Sequence, residues 1–201
     1  MYRFLSLLHN WLIAFLKLIF QASLEIPKRG GTIHMVCRNP KSAEEAKAEI
    51  VKESENEDVH VHILDMSEPR SIHAFVKKFA EENASLNCLV NNAGCMVNTR
   101  EVTEDGLEKN FATNVVGTHM ITEGLIELIR KSDDPRVVVV SSGGMLTNKL
   151  NLDDLQSEEM KPFDGTMVYA QNKRQQVIMT HQYAEKYPEV HFSSMHPGTK
   201  S

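Results

Sequence analysis

Short apolar runs alternate along this chain with longer stretches of helical periodicity. The clearest run is Val137, Val138, Val139 and Val140, four consecutive β-branched residues. A run of this kind reads as a strand buried on both faces, as in a parallel sheet. Residues 32–37 (TIHMVC), 59–64 (VHVHIL), 86–90 and 190–194 read as further strands. Between them lie helical patterns. Residues 22–28 look like the end of a helix stopped by Gly30 and Gly31, with Pro27 near its end. Residues 41–55 form a charged helix, and 69–82 carry apolar residues at Ile72, Phe75, Val76 and Phe79. Residues 103–130 are a long helical stretch whose continuity Gly106, Gly117 and Gly124 weaken. A last helix carries Tyr169. Strands alternating with helices predict an α/β fold, a doubly wound, Rossmann-like parallel sheet.

Residues 1–20 break this rhythm. The run FLSLLHNWLIAFLKLIF is interrupted by His9, Asn10 and Lys17. Its uncharged core, residues 4–16, is shorter than the roughly 20 residues a membrane-spanning helix needs. The pattern fits a signal-anchor, an interfacial helix, or a hydrophobic helix packed on the domain. It is expected to be mainly helical over residues 4–20 and to leave apolar surface exposed, with membrane contact one outcome. The expected division is an N-terminal helix at 1–21 and an α/β domain at 22–201. No small-residue cleavage site follows clearly, which argues against secretion and for an intracellular chain, cytoplasmic or membrane-associated.

Composition narrows the choice of partners. The 201 residues suit one domain, and 41% hydrophobic with 24% charged residues are globular values. A formal net charge of −5 offers no basic patch for nucleic acid. Cys37, Cys88 and Cys95 lack C-x-x-C spacing, so reduced thiols are expected and a metal site is not.

The candidate chemistry gathers at strand ends. Ser141 and Ser142 close the valine strand, and Gly143 and Gly144 turn the chain away. Ligands of open α/β sheets bind outside the carboxyl ends of the strands. Tyr169 and Lys173 are four residues apart, on one helix face. A free tyrosine, with a pKa of about 10, is a poor base at neutral pH. A lysine ammonium one turn away would favour the phenolate, and a nearby serine hydroxyl could hold a carbonyl or alcohol against it. Tyr169 could equally be an ordinary half-buried helix residue. Arg38 follows the first of these strands, where a basic residue can pair with a 2′-phosphate or simply face solvent. Asp65 follows the second and could cap the next helix or contact an adenine. Asn91-Asn92-Ala93-Gly94 ends the third, either as a close approach to a ligand or as a plain turn. Asn114 lies mid-helix, where it is surface noise or orders a water beside a site.

NNAG, a helical asparagine, a strand-end SS, YxxxK and a terminal HPG occur here in one order and spacing. Together they resemble the short-chain dehydrogenase/reductase family over residues 22–198. That resemblance implies an NADP(H)-dependent oxidoreductase, with NAD as the other option, acting on a small-molecule carbonyl or alcohol. It implies that Ser142 positions substrate, that Tyr169 is the general acid/base, and that Lys173 lowers the tyrosine pKa and binds the nicotinamide ribose. Asn114 would hold a proton-relay water. Asn91, Ala93 and Gly94 would line the cofactor site, Asp65 would contact adenine, Arg38 would favour NADP, and Pro197 and Gly198 would border the nicotinamide pocket.

The chain also departs from the family pattern. The family opens with a strand and a TGxxxGxG turn against the pyrophosphate, yet no glycine precedes Gly30. The sequence ends at Ser201, just after HPG, where the family continues into its substrate-binding segment. The expectation is a form truncated on both sides of the cofactor site, with weak or lost cofactor binding and little turnover. In the family's strand order, 3-2-1-4-5-6-7, the first strand is central. Either the N-terminal stretch replaces it, or the two halves of the sheet pair directly or separate. The alternative function is a non-catalytic isoform acting as a membrane-associated or interaction protein.

Overall fold

The computed structural model describes residues 3–8 and 13–196. Its frame is one six-stranded sheet, built from β1 (Arg3–Leu8), β2 (Thr32–Cys37), β3 (Val59–Ile63), β4 (Cys88–Asn91), β5 (Arg136–Val140) and β6 (His191–Met195). All neighbours are parallel, and the order is β3-β2-β1-β4-β5-β6. The helices are α1 (Ile13–Lys28), α2 (Pro40–Ser54), α3 (Pro69–Glu82), the short α4 (Lys109–Phe111), α5 (Gly117–Ile129) and α6 (Gly165–Lys186). A π-helical turn, Ala112–Val116, joins α4 to α5.

The N-terminal stretch corrects one expectation. It is not a single helix over residues 4–20 or 1–21: Arg3–Leu8 is a strand, and helix begins only at Ile13 among the described residues. β1 pairs with β2 from Arg3↔Thr32 to Leu8↔Cys37, and with β4 from Phe4↔Cys88 to Ser6↔Val90. The reason is backbone accounting. Without a strand here, the facing N–H and C=O groups of β2 and β4 would be buried and unpaired, which is costly. The family's first strand is therefore replaced rather than missing. The exposure expected for residues 4–19 concerns side chains outside the described residues. No helix of the described residues is long and apolar enough to cross a membrane.

Alternation along the strands feeds two cores. Val36, Leu89, Val137 and Val139 pack with Ile72 and Phe79 of α3 and Ile121, Leu125 and Ile129 of α5. Ile33, Met35, Cys37, Val59, Val90 and Val140 face the other way, toward Leu24 of α1 and Ala43 and Ile50 of α2. Helices thus cover both faces. α6 lies beside α5, where the ring nitrogen Nδ1 of His119 and the Tyr183 hydroxyl are 2.6 Å apart.

The stretch expected as one helix over residues 103–130 divides. Gly106, at φ 79°, turns the chain between Thr103 and Leu107, and helix starts at Lys109. Glu108 starts it, its carboxylate accepting from the backbone N–H groups of Asn110 and Phe111. Gly117 serves packing instead. A Cβ there would lie 2.3 Å from the Met66 carbonyl oxygen, so only glycine lets α5 approach the loop after β3.

Candidate active site

The site lies at the carboxyl end of β5, against α6 and the π-helical turn. Val140 ends the strand, and the Ser141 hydroxyl donates to the Lys173 carbonyl at 3.0 Å, tying strand to helix. Ser142 follows in extended conformation and caps a short 3-10 turn, its hydroxyl accepting from the Gly144 N–H at 3.3 Å. α6 is started by Asp164, whose carboxylate accepts from the Thr166 and Met167 N–H groups at 2.9 and 3.1 Å. Its first residue, Gly165, sits against the loop after β4: a Cβ there would lie 2.2 Å from the Val97 carbonyl oxygen. That contact sets the distance between the Tyr169 helix and the Asn91–Gly94 segment.

Tyr169 and Lys173 share one face of α6, with the lysine Nζ 5.5 Å from the tyrosine ring centroid. Burial raises the Tyr169 pKa, and a hydrogen bond with the Ser142 side chain works against that rise. This reverses the expected direction, because burial was not visible in the spacing of the motif. Lys173 is almost fully buried. Its ammonium donates to the Val140 carbonyl at 2.8 Å and to the Gln176 side-chain oxygen at 3.0 Å. Burial brings its pKa down to about 8.

Asn114 lies in the π-helical turn and is fully buried. Its side chain brackets the loop after β4, accepting from the Cys95 N–H at 2.8 Å and donating to the Cys95 carbonyl at 2.9 Å. It also donates to Asn172 Oδ1 at 3.1 Å. Gly94 fits between these groups, since a Cβ there would be 3.1 Å from Asn114 Oδ1 and 3.5 Å from Lys173 Nζ. The structure thus brings Ser142, Tyr169, Lys173, Asn114 and Gly94 together.

The remaining candidates stand along the same sheet edge. Arg38 and Asp65, after β2 and β3, are 3.9 Å apart, with the arginine side chain 45% exposed. Asp65 Oδ1 accepts from the Ser67 N–H and hydroxyl at 2.9 and 2.8 Å, bracing the turn before α3. Asn91 donates to the Thr122 hydroxyl at 2.9 Å. Its Oδ1 and that of Asn92 are buried without a hydrogen-bond partner among the described residues. Ala93 is buried beside them. Pro197 and Gly198 lie outside the described residues.

Several polar groups supporting this site were missed in the sequence. Glu108, fully buried, receives three N–H donors and orients Asn110, which in turn holds Val97. Asn172 and Gln176 are also buried. The available signal was spacing: Tyr169, Asn172, Lys173 and Gln176 recur at three- and four-residue intervals on α6, a polar stripe where a core-facing helix is ordinarily apolar.

A family model described as short chain dehydrogenase matches residues 20–151. The human dehydrogenase/reductase SDR family member 12 is 60% identical over 176 residues, which are 88% of this chain and 55% of that protein. Human retinol dehydrogenase 12 is 33% identical over 180 residues, 89% of this chain and 56% of that one. The chain therefore spans about half the length of the curated relatives it matches. Among solved structures, an uncharacterized protein from Mycobacterium paratuberculosis superposes with a TM-score of 0.82 at 25% identity, covering 99% of this chain and 69% of that one. A short chain dehydrogenase from Shigella flexneri reaches 0.75 at 18% identity, covering 98% and 72%. Sequence match, strand order and overall superposition agree, and the chain belongs to the short chain dehydrogenase family.

Proposed function

We propose that this chain is an NADP(H)-dependent oxidoreductase acting on a carbonyl or alcohol. The observation that carries the reading is the Lys173 ammonium set 5.5 Å from the Tyr169 ring centroid, on a helix that the Ser141 hydroxyl ties to the strand end carrying Ser142. The Ser142 and Tyr169 hydroxyls would then bind one substrate oxygen between them.

The residues present fit a dinucleotide at its two ends. At the adenosine end, the exposed Arg38 offers a guanidinium suited to a 2′-phosphate, and Asp65 lies beside it. At the nicotinamide end, Gly94 leaves close-approach space beside Lys173, and the orphaned Asn91 and Asn92 oxygens at the end of β4 leave acceptors open. When bound, the nicotinamide supplies or accepts the hydride. Ser142 would orient the substrate oxygen, and Tyr169 would give that oxygen its proton in reduction or take it in oxidation. The raised Tyr169 pKa suits the proton-donating direction, because the tyrosine is then protonated at neutral pH. Lys173 would hold the ribose and keep positive charge near the phenol.

The connection after β1 reads His9-Asn10-Trp11-Leu12 and contains no glycine. Glycine amides there would otherwise cradle the pyrophosphate, so weak NADPH affinity is expected. Exposed Leu146, Leu152, Leu155 and Met167 lie in and beside the connection from β5 to α6. They favour an apolar substrate, and retinal, suggested by the names of the retinol dehydrogenase relatives, belongs in the first panel. The test is calorimetric titration with NADPH and with NADH, followed by NADPH oxidation with a panel of carbonyl compounds beside Tyr169→Phe. Saturable NADPH binding and turnover lost in the variant support the reading. No binding, or turnover indifferent to Tyr169, overturns it.

A further inference from the structure

Gln176 occupies a position that the catalytic reading leaves unexplained. It is 1% exposed, and its amide is saturated by groups of the site. Its Oε1 accepts from Lys173 Nζ at 3.0 Å. Its Nε2 donates to the Asn114 carbonyl at 2.6 Å and toward the Thr118 hydroxyl at 3.3 Å. The orientation of this amide is fixed by chemistry. An ammonium only donates and a carbonyl only accepts, so a flipped amide would set donor against donor and acceptor against acceptor.

We propose that Gln176 is a positioning residue for the Tyr169–Lys173 pair, its side-chain amide clamping the Lys173 ammonium to the Asn114 carbonyl. The inference rests on the oxidoreductase reading for its purpose, but the clamp itself is geometry. The π-helical turn supplies the acceptor. Its hydrogen bonds run one residue wider than α-helical ones, with the Gly117 N–H reaching the Ala112 carbonyl. The Asn114 carbonyl, inside that turn, takes two side-chain donors, Gln176 Nε2 and the Thr118 hydroxyl at 2.9 Å. Family resemblance assigns a relay water to Asn114, yet here an amide N–H fills a hydrogen-bonding position on that carbonyl.

The kind of donor on that carbonyl matters chemically. A water can accept one proton and release another. An amide nitrogen has no free lone pair and only donates. Gln176 therefore holds Lys173 in place without passing its proton toward Asn114. The clamp also supplies one of two acceptors to an almost fully buried ammonium, the Val140 carbonyl being the other. Removing it should make the charged lysine harder to keep. A glutamine that merely filled core space would leave the lysine's titration where it was.

The test reads Lys173 directly, on the full chain without cofactor. With [13C,15N]-lysine labelling, the Lys173 signal is identified by its loss in Lys173→Arg and followed across pH. The titratable groups facing the ammonium are Tyr169 on α6 and Cys95 from the loop after β4, and both are retained in every variant. The parent midpoint is expected near 8. Gln176→Leu removes the acceptor and should lower the midpoint by about one pH unit. Gln176→Glu keeps the size, adds a carboxylate, and should raise it by about one unit or more. Circular dichroism establishes which variants fold, and if the leucine variant does not, the glutamate variant decides. A parent-like midpoint in the folded variants overturns the proposal. Calorimetric NADPH titration of the unsubstituted chain separates the two ideas: no NADPH binding there, together with shifted lysine midpoints in the variants, counts against the oxidoreductase reading alone.

Discussion

Replacing Gly165 with alanine should loosen the candidate site from outside it. The added Cβ would lie 2.2 Å from the Val97 carbonyl oxygen, 2.7 Å from Asn98 Oδ1 and 2.8 Å from Asn98 Cα. Two of these three atoms are backbone and cannot rotate away, so α6 and the loop after β4 must separate by about 1 Å to reach ordinary contact. Overpacking of this kind costs about 1–3 kcal/mol. Alanine's better helix propensity is an interior effect and returns little at Gly165, the first residue of α6, leaving a net loss of about 1–3 kcal/mol. With a urea dependence of about 2 kcal/mol per molar, the unfolding midpoint should fall by about 0.5–1.5 M. The displaced parts carry Tyr169 and Lys173 on one side and the Asn91–Gly94 segment on the other. A 1 Å misplacement of reacting groups can cost about a hundredfold in rate, so NADPH turnover should fall further than stability suggests. Gly143→Ala is the control, because its Cβ would meet nothing closer than His196 Nε2 at 3.7 Å. It should stay within about 0.5 kcal/mol of the parent. A Gly165→Ala chain with an unchanged urea midpoint would refute the packing argument.

Three further outcomes are expected. Tyr169→Phe removes the proton donor and should lower NADPH-dependent carbonyl reduction by about 10²–10⁴-fold while leaving NADPH binding nearly intact; equal loss of both would mean the hydroxyl acts in binding. Phe79→Ala deletes a fully buried ring set edge-on against His34, at 4.9 Å between centroids, and should cost about 3–5 kcal/mol in chemical denaturation. The Thr32 hydroxyl donates to Asp58 and, as the largest cause, lowers its pKa. A depressed folded-state pKa gives stability that is complete above the unfolded value, about 3.9, and is lost as pH falls through the folded value. Thr32→Val should therefore flatten the stability profile below about pH 4, and a parent-like acid limb would contradict this.

Much of the sheet was legible because its signals are local. Thr32–Cys37 and Pro69–Glu82 were bounded to the residue, and the valine strand gained only Arg136. Ser142, Tyr169 and Lys173 were legible for the same reason, one by its place at a strand end and two by helical spacing. Arg3–Leu8 was not. A short unbroken apolar run reads equally well as helix or strand, and what decides here is distant: the unpaired edges of β2 and β4, 24 or more positions along the chain. The direction of the Tyr169 pKa was missed because burial belongs to the fold and not to the motif. Glu108 was missed because a carboxylate acquires a role only from the groups it meets, here in a turn that leaves no periodic trace, and Gln176 because its place in the polar stripe of α6 does not show that it meets a carbonyl of the π-helical turn.

The replaced strand separates two requirements that the family ordinarily meets with one segment. Closing the sheet between β2 and β4 asks only for backbone N–H and C=O groups at the right register. Many apolar sequences provide them, and RFLSLL does so with six partners on one side and three on the other. Cradling a pyrophosphate asks for more: glycines that let amides approach the phosphates at a helix N-terminus. The sequence His9-Asn10-Trp11-Leu12 offers no glycine for that task. On the proposed reading, the sheet closes at its centre while a dinucleotide would be held mainly from its ends, by Arg38 and Asp65 on one side and Lys173 on the other. On this argument NADPH affinity should depend more steeply on Arg38 than it would beside an intact glycine turn. Arg38→Ala should accordingly abolish measurable NADPH binding in calorimetry and remove the preference for NADPH over NADH. Binding of NADPH unchanged by that substitution would show that the phosphates are held elsewhere.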